Sequence, residues 1–306
     1  MPFHYLLEGS ALKSVNPLVL FIIIFVVLLP IRAKAEIILH TENSLYRKIT
    51  VYENGDERCM RFTRQTSARQ TCYYRSNPNL LVFDYTKMML GSLYLQAEPQ
   101  KVLIIGLGGG TLPTAISQIF PKVEIDTIEI DPAVVRVAKK YFNFKPTSNI
   151  RVFEEDGRVF VKRAIKKGSK YDLVMLDAFD HEYIPEHLLT REFLSELKQI
   201  MKPEGVLAAN TWSTSRLYDH ESATYESVFN DFWSLRRNNR VIIVKNNGLL
   251  NMNSIKKNAK ALDSRLLSFG AGSEFLLPLF STKRDWRQGA RILTDQYSPS
   301  NLLNIK

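Results

Sequence analysis

Two kinds of hydrophobic pattern succeed one another along the chain, and the change falls near Gln100. Before it, apolar positions come in short β-like runs: Lys48 to Tyr52, Cys59 to Phe62, Thr71 to Tyr74 and Leu80 to Phe83. Asn54-Gly55-Asp56 between the first two is a hairpin signal, because Asn-Gly readily takes the positive φ of a tight turn. These runs predict a small antiparallel sheet, closed by a helix from about Tyr85 to Leu95. After Gln100, short apolar runs alternate with helical stretches, which predicts a parallel sheet with covering helices. Strands are expected at Val102 to Gly106, Val123 to Glu129, Ile150 to Phe153, Leu173 to Asp177 and Gly205 to Asn210. Helices are expected near Thr114–Phe120, Ala133–Tyr141, Val159–Lys167 and Arg191–Met201. Further strands follow at Val241 to Lys245 and Phe275 to Phe280, while the polar, Asn-rich and basic stretch Asn246 to Lys260 reads as a loop. The fold class is α/β, a doubly wound, mostly parallel Rossmann-like sheet (residues 99–306). A small β domain (36–98) and an N-terminal hydrophobic segment (1–35) precede it.

That segment is the run Leu18 to Leu29, twelve apolar residues without a charge, followed by Pro30. It is short for a spanning helix and suits a signal-peptide core, and Ala33-Lys34-Ala35 fits a small-x-small cleavage site. Arg32, Lys34, Arg47 and Lys48 follow the run, and loop positive charge tends to stay cytoplasmic. The expectation is an uncleaved anchor with the catalytic domain in the cytoplasm and a membrane surface as partner. The alternative is export after cleavage following Ala35.

Composition narrows the class. Of 306 residues, 45% are apolar and 24% charged, which excludes a disordered tail, a collagen-like fibre and a multi-span transporter. The two cysteines, Cys59 and Cys72, cannot build a disulfide framework or a four-ligand zinc site; at most they form one bridge, and reduced, partly buried thiols are the expectation. His181 and His187 have a spacing that suits no standard metal site, so no metal is expected. The net charge of +10 draws the chain to anionic surfaces. Its basic runs, such as Lys162–Lys170, lack interleaved aromatics and read as solvated faces, not a nucleic-acid site.

The chemistry concentrates at strand ends. Val102 to Gly106 runs into Gly106, Gly108, Gly109 and Gly110, four glycines within five positions. Glycine lets backbone approach a ligand closely and sets a helix N-terminus against it. No Lys-Ser/Thr follows, which excludes a P-loop. Roughly twenty residues on, Glu129 ends the second strand, where a carboxylate accepts ribose hydroxyls. Asp131-Pro132 reads instead as the cap and first position of the next helix. Asp156-Gly157, after the third strand, is placed to take the exocyclic amine of adenine. The fourth strand ends in Asp177-Ala178-Phe179-Asp180, and five carboxylates with no Lys or Arg lie between Asp172 and Glu186. Such a pocket suits a cationic substrate, with Asp177 accepting a proton from an attacking amine.

In order and spacing these motifs resemble the spermidine synthase (polyamine aminopropyltransferase) family, built on the class I S-adenosylmethionine-dependent transferase fold. The likeness runs from about Ser44 to Asn210. It includes Tyr46-Arg47-Lys48-Ile49-Thr50-Val51 as the opening strand and Tyr85-Thr86-Lys87-Met88 as the helix before the glycines. The resemblance implies that Glu129 holds the ribose and Asp156 the adenine, with the glycine loop and Gly157 as cradle. It makes Asp177 the proton acceptor, Asp180 an amine anchor and Tyr85 a substrate contact. The donor would be decarboxylated S-adenosylmethionine or S-adenosylmethionine itself, the partner a small amine, and a homodimer is common in the family. Gly109 stands where the family has an aspartate, Arg47 and Thr86 replace glutamines, and the proline-rich acceptor segment after strand five is missing. The loop and the late Leu293-Thr294-Asp295-Gln296-Tyr297-Ser298-Pro299 resemble a divergent, often membrane-attached bacterial subgroup. Three functions stay open: aminopropyl transfer to a polyamine, methyl transfer from S-adenosylmethionine, and a non-catalytic nucleoside-binding scaffold.

Overall fold

A computed structural model describes residues 36–62, 69–179, 185–214 and 216–303. The described residues form one compact unit. It opens with an antiparallel meander of β1 (Ile37–Asn43), β2 (Lys48–Asn54), β3 (Glu57–Arg61) and β4 (Arg69–Tyr74), in that order. Ile49, Val51 and Met60 on this sheet bury against Ala133, Val134 and Val137 of the helix Pro132–Tyr141. Leu80 to Phe83, read as a strand, forms only an isolated bridge between Leu81 and Tyr73 before helix α1 (Asp84–Leu90) begins.

The second sheet has β5 (Lys101–Ile105), β6 (Glu124–Glu129), β7 (Ile150–Glu154), β8 (Tyr171–Leu176), β9 (Met201–Trp212), β10 (Trp233–Arg236) and β11 (Asn239–Lys245). Their spatial order is β10-β11-β9-β8-β5-β6-β7, with β5 to β9 parallel and β10 and β11 antiparallel. Successive residues of β8 feed opposite cores: Leu173 and Met175 on one face, Val174 and Leu176 on the other. Strands covered on both faces need unbroken apolar runs, which is why they stood out in the sequence. The chain passes from β5 outward to β6 and β7, then returns to β8 on the other side. The crevice between β5 and β8 is thus the topological switch point where such sheets bind ligands.

Helices α2 (Thr111–Ile119), α3 (Pro132–Tyr141), α4 (Gly157–Lys166), α5 (Arg191–Ile200) and α6 (Leu217–Phe229) connect the strands. The expected loop Asn246 to Lys260 is corrected to the start of helix α7 (Met252–Leu266), capped by Asn251, whose side chain accepts from Ser254 N at 2.9 Å. Ile255, Ala259, Leu262 and Leu266 bury one narrow stripe of it against the core. The expected strand Phe275 to Phe280 is also corrected, to the end of a short helix and the turn Leu277–Leu279 containing Pro278, which has no N–H for a ladder.

Cys59 and Cys72, expected as thiols, are joined in a disulfide. The β3–β4 register sets them directly opposite with Cα atoms 4.1 Å apart, a proximity that sequence spacing alone does not reveal. The membrane-anchored placement is corrected as well: among the described residues no helix is long and apolar enough to cross a membrane. The longest, α7, has 15 residues, spans about 22 Å against a hydrocarbon core of about 30 Å, and is polar on most of its surface. The run Leu18 to Leu29 lies outside the described residues.

Candidate active site

A cavity of about 420 Å³ opens at the carboxyl ends of β5, β6 and β8. Its floor is the glycine loop, and one contact explains the first glycine. Gly106 has φ +102°, and a Cβ there would lie 2.1 Å from the carbonyl oxygen of Asp177. The backbones leaving β5 and β8 therefore touch at Gly106, a closeness no side chain permits. Gly106 N donates to Ile128 O at 2.8 Å and Asp177 N donates to Ile105 O at 2.8 Å, which fixes the three strand ends together. Gly108 and Gly109 line the cavity beside Thr71 of the small sheet. Gly110 is not among its lining residues: it starts α2, and a Cβ on it would meet the Phe144 ring at 2.5 Å.

Glu129 stands at the tip of β6 in the cavity wall. Its Oε2 accepts from Leu107 N at 3.1 Å and its Oε1 from Asp131 N at 3.0 Å. Burial raises its pKa, against the pull of those two amides and of the Arg47 charge nearby. Asp131 caps α3 through Ala133 N and accepts the Ser44 hydroxyl at 2.6 Å. Ser44 Oγ in turn accepts the amides of Tyr46 and Arg47, and this turn delivers both residues to the cavity rim.

Asp156 caps α4, its Oδ1 accepting from Arg158 N at 2.9 Å and Val159 N at 3.0 Å. Its Oδ2 lies 2.7 Å from His187 Nε2. That hydrogen bond is the main reason its pKa falls below the usual carboxylate value. Gly157 and His187 line the cavity with it. The sequence pattern gives no sign of this role for His187, because its partner Asp156 lies 31 positions away.

Asp177 follows β8. Its Oδ1 accepts from Asn210 Nδ2 at 2.9 Å, and Tyr85 of α1 donates its hydroxyl to the same carboxylate. Asn210 Oδ1 accepts from Asn239 Nδ2 at 3.1 Å, so an amide relay from β11 through β9 ends on Asp177. The carboxylate faces the cavity and is half-buried, and that burial pushes it up to about 7 despite both hydrogen bonds. The Tyr85 hydroxyl is raised well above its usual value, by burial first and the Asp177 charge second. Asn210 was legible only as the last residue of an apolar strand. Asp180 lies outside the described residues.

The arrangement gathers a glycine floor, two carboxylates at one end and a near-neutral carboxyl at the other, all at the switch point of a doubly wound sheet. Such a crevice is where doubly wound α/β sheets bind their ligands. The spermine/spermidine synthase domain model matches residues 82–257. A polyamine aminopropyltransferase from Vibrio vulnificus is 46% identical over 297 residues, covering 95% of this chain and 99% of that protein. The chain belongs to the spermine/spermidine synthase family. In fold, a probable spermidine synthase from Corynebacterium glutamicum superposes with a TM-score of 0.67, at 17% identity, over 84% of this chain and 96% of that one. Human Methyltransferase-like protein 13, solved in complex with SAH, superposes with a TM-score of 0.54 at 25% identity, over 68% of this chain and 96% of that one.

Proposed function

We propose that this chain moves an aminopropyl group from decarboxylated S-adenosylmethionine to an amine of a polyamine, releasing methylthioadenosine. The activity is that of the relative with which it shares 46% of its residues over nearly the whole of both chains. One observation carries the residue-level reading: Asp177, at about 7, is placed between the Tyr85 and Asn210 donors at the cavity wall. A carboxyl poised near neutrality takes a proton from an ammonium and holds it while the freed amine attacks the carbon beside the sulfonium. Tyr85 and Asn210 fix the direction of its lone pairs, and holding donor and acceptor in line supplies the rest of the acceleration.

The nucleoside half follows from the other wall. Glu129 spends one lone pair per oxygen on backbone amides and keeps the others for the ribose hydroxyls. Asp156 Oδ2 keeps a lone pair beside the His187 bond for an exocyclic amine. The decarboxylated donor is a cation, and the family resemblance makes Asp180 the anchor for the acceptor amine. A second reading, methyl transfer from S-adenosylmethionine, is favoured by one feature. Gly109 replaces the aspartate that meets the donor's amine in the family, while Arg47 brings positive charge to the same cavity, an arrangement suited to a donor carboxylate.

The test is Asp177→Asn. Turnover is expected to fall by about 10²–10⁴, the usual contribution of general acid–base catalysis, with methylthioadenosine affinity retained. Collapse of nucleoside binding together with turnover would make Asp177 an architectural residue and remove the proton-acceptor assignment.

A further inference from the structure

The segment Leu293–Pro299 has no part in the chemistry above, yet it is tied down along its length. Leu293 is fully buried; its O accepts from Arg191 N at 2.8 Å and its N donates to Thr224 Oγ1 at 2.9 Å. Asp295 N donates to Glu192 Oε2 at 3.0 Å, and Ser298 Oγ donates to Glu186 O at 3.0 Å. The strap thus lies across the segment Glu186–Glu192, whose His187 and Leu188 wall the active-site cavity.

Its strongest bond runs to α4. Asp295 receives Arg158 in a fork, Nη1 to Oδ1 and Nη2 to Oδ2, both at 2.7 Å, and Thr190 Oγ1 adds a third bond at 2.7 Å. Glu196 takes the other edge of the same guanidinium at 2.8 and 2.9 Å. Such bidentate pairs fix a guanidinium in plane and direction as well as in charge. Arg158 is 8% exposed and is two residues from Asp156. Its own N–H is one of the amides that hold Asp156 Oδ1, and its Nη1 also donates to the carbonyl of His187 at 3.3 Å. The His187 ring holds the other oxygen, Oδ2. Both oxygens of Asp156 are therefore held by groups that Arg158 fixes, one through its backbone and one through its side chain.

We infer that the C-terminal strap is a positioning element of the nucleoside pocket, in which Asp295 orients Arg158 and Arg158 sets the carboxylate of Asp156 for the purine amine. Neither Asp295 nor Arg158 lines the active-site cavity, so both act through Asp156 and His187. The inference rests on the transferase reading, in which Asp156 meets adenine.

Two variants test it in the full-length chain. Asp295→Asn keeps the shape and the Thr190 bond but removes the charge of the fork. Arg158→Lys keeps a cation between Glu196 and Asp295 but cannot reach both carboxylates and the His187 carbonyl. Methylthioadenosine affinity by calorimetry, donor KM, kcat and Tm are measured on both. Each variant is expected to bind methylthioadenosine about tenfold more weakly, with donor KM rising in step and kcat held within about twofold, because a ground-state contact is misplaced. A strap that only staples α4 to α5 would lower Tm and leave affinity and KM unchanged. That result, a loss confined to kcat, or failure of both variants to fold would overturn the inference. If the unmodified chain itself fails to bind methylthioadenosine, the transferase reading fails instead.

Discussion

Replacing Asp177 by asparagine should stabilise the apo protein, by an amount that depends on pH. Burial raises this carboxyl from its ordinary 3.8 to about 7, which places about 4 kcal/mol on its charged form. Below pH 3.8 it is neutral in the folded and unfolded chains alike, and asparagine offers no advantage. Between 3.8 and 7 the unfolded chain ionises while the folded chain keeps its proton, so wild-type stability falls as pH rises. Above 7 the full penalty is present and constant. The advantage of asparagine at pH 8 should exceed that at pH 5 by about 2–3 kcal/mol. For a chain of this size that is a further Tm gain of about 3–5 °C. Any pH-independent loss, such as an amide hydrogen left without an acceptor, cancels between the two pH values. Thermal melts of both proteins at pH 5 and pH 8, without nucleoside, measure it. An equal Tm difference at both pH values would refute the reasoning, since it would place the titration of Asp177 outside this window in the folded chain.

Asn210→Ala removes a donor that stabilises the Asp177 carboxylate and holds its pKa down. The acid limb of the turnover profile should therefore move above about 7, and a pH–rate series checks the direction. Glu129→Gln keeps one acceptor for the loop amides but removes the charge facing the ribose. Calorimetry should show methylthioadenosine weakened by about 1.5–3 kcal/mol, the range for hydrogen bonds to a charged group.

Much of this site was legible because strand ends have a local signature. Gly106 and Asp177 follow apolar strands buried on both faces, while Glu129 and Asp156 close the strands Glu124–Glu129 and Ile150–Glu154, where apolar and charged residues mix; in each case a glycine or carboxylate marks the carboxyl edge of the parallel sheet. The partners of those residues were not legible, because they arrive from other elements. Asn210 and Tyr85 meet Asp177 from β9 and α1, and His187 meets Asp156 from 31 residues away. Helix α7 was missed for another reason. Its buried stripe is only Ile255, Ala259, Leu262 and Leu266, with lysines and asparagines around the rest of the circumference. The run Phe275 to Phe280 erred the opposite way: an apolar sequence of strand length, it is turned by Pro278 into helical turns. The disulfide depended on the register of β3 and β4, which no spacing in one sequence reports.

The central claim is that the site transfers an aminopropyl group, and it is tested most directly by offering both donors with one diamine and identifying the products by mass. The account predicts that decarboxylated S-adenosylmethionine is consumed, with methylthioadenosine and an aminopropylated amine formed in equal amounts, and that Asp177→Asn suppresses both together. Formation of S-adenosylhomocysteine and a methylated acceptor from the carboxylated donor, with no methylthioadenosine from the other, would contradict it.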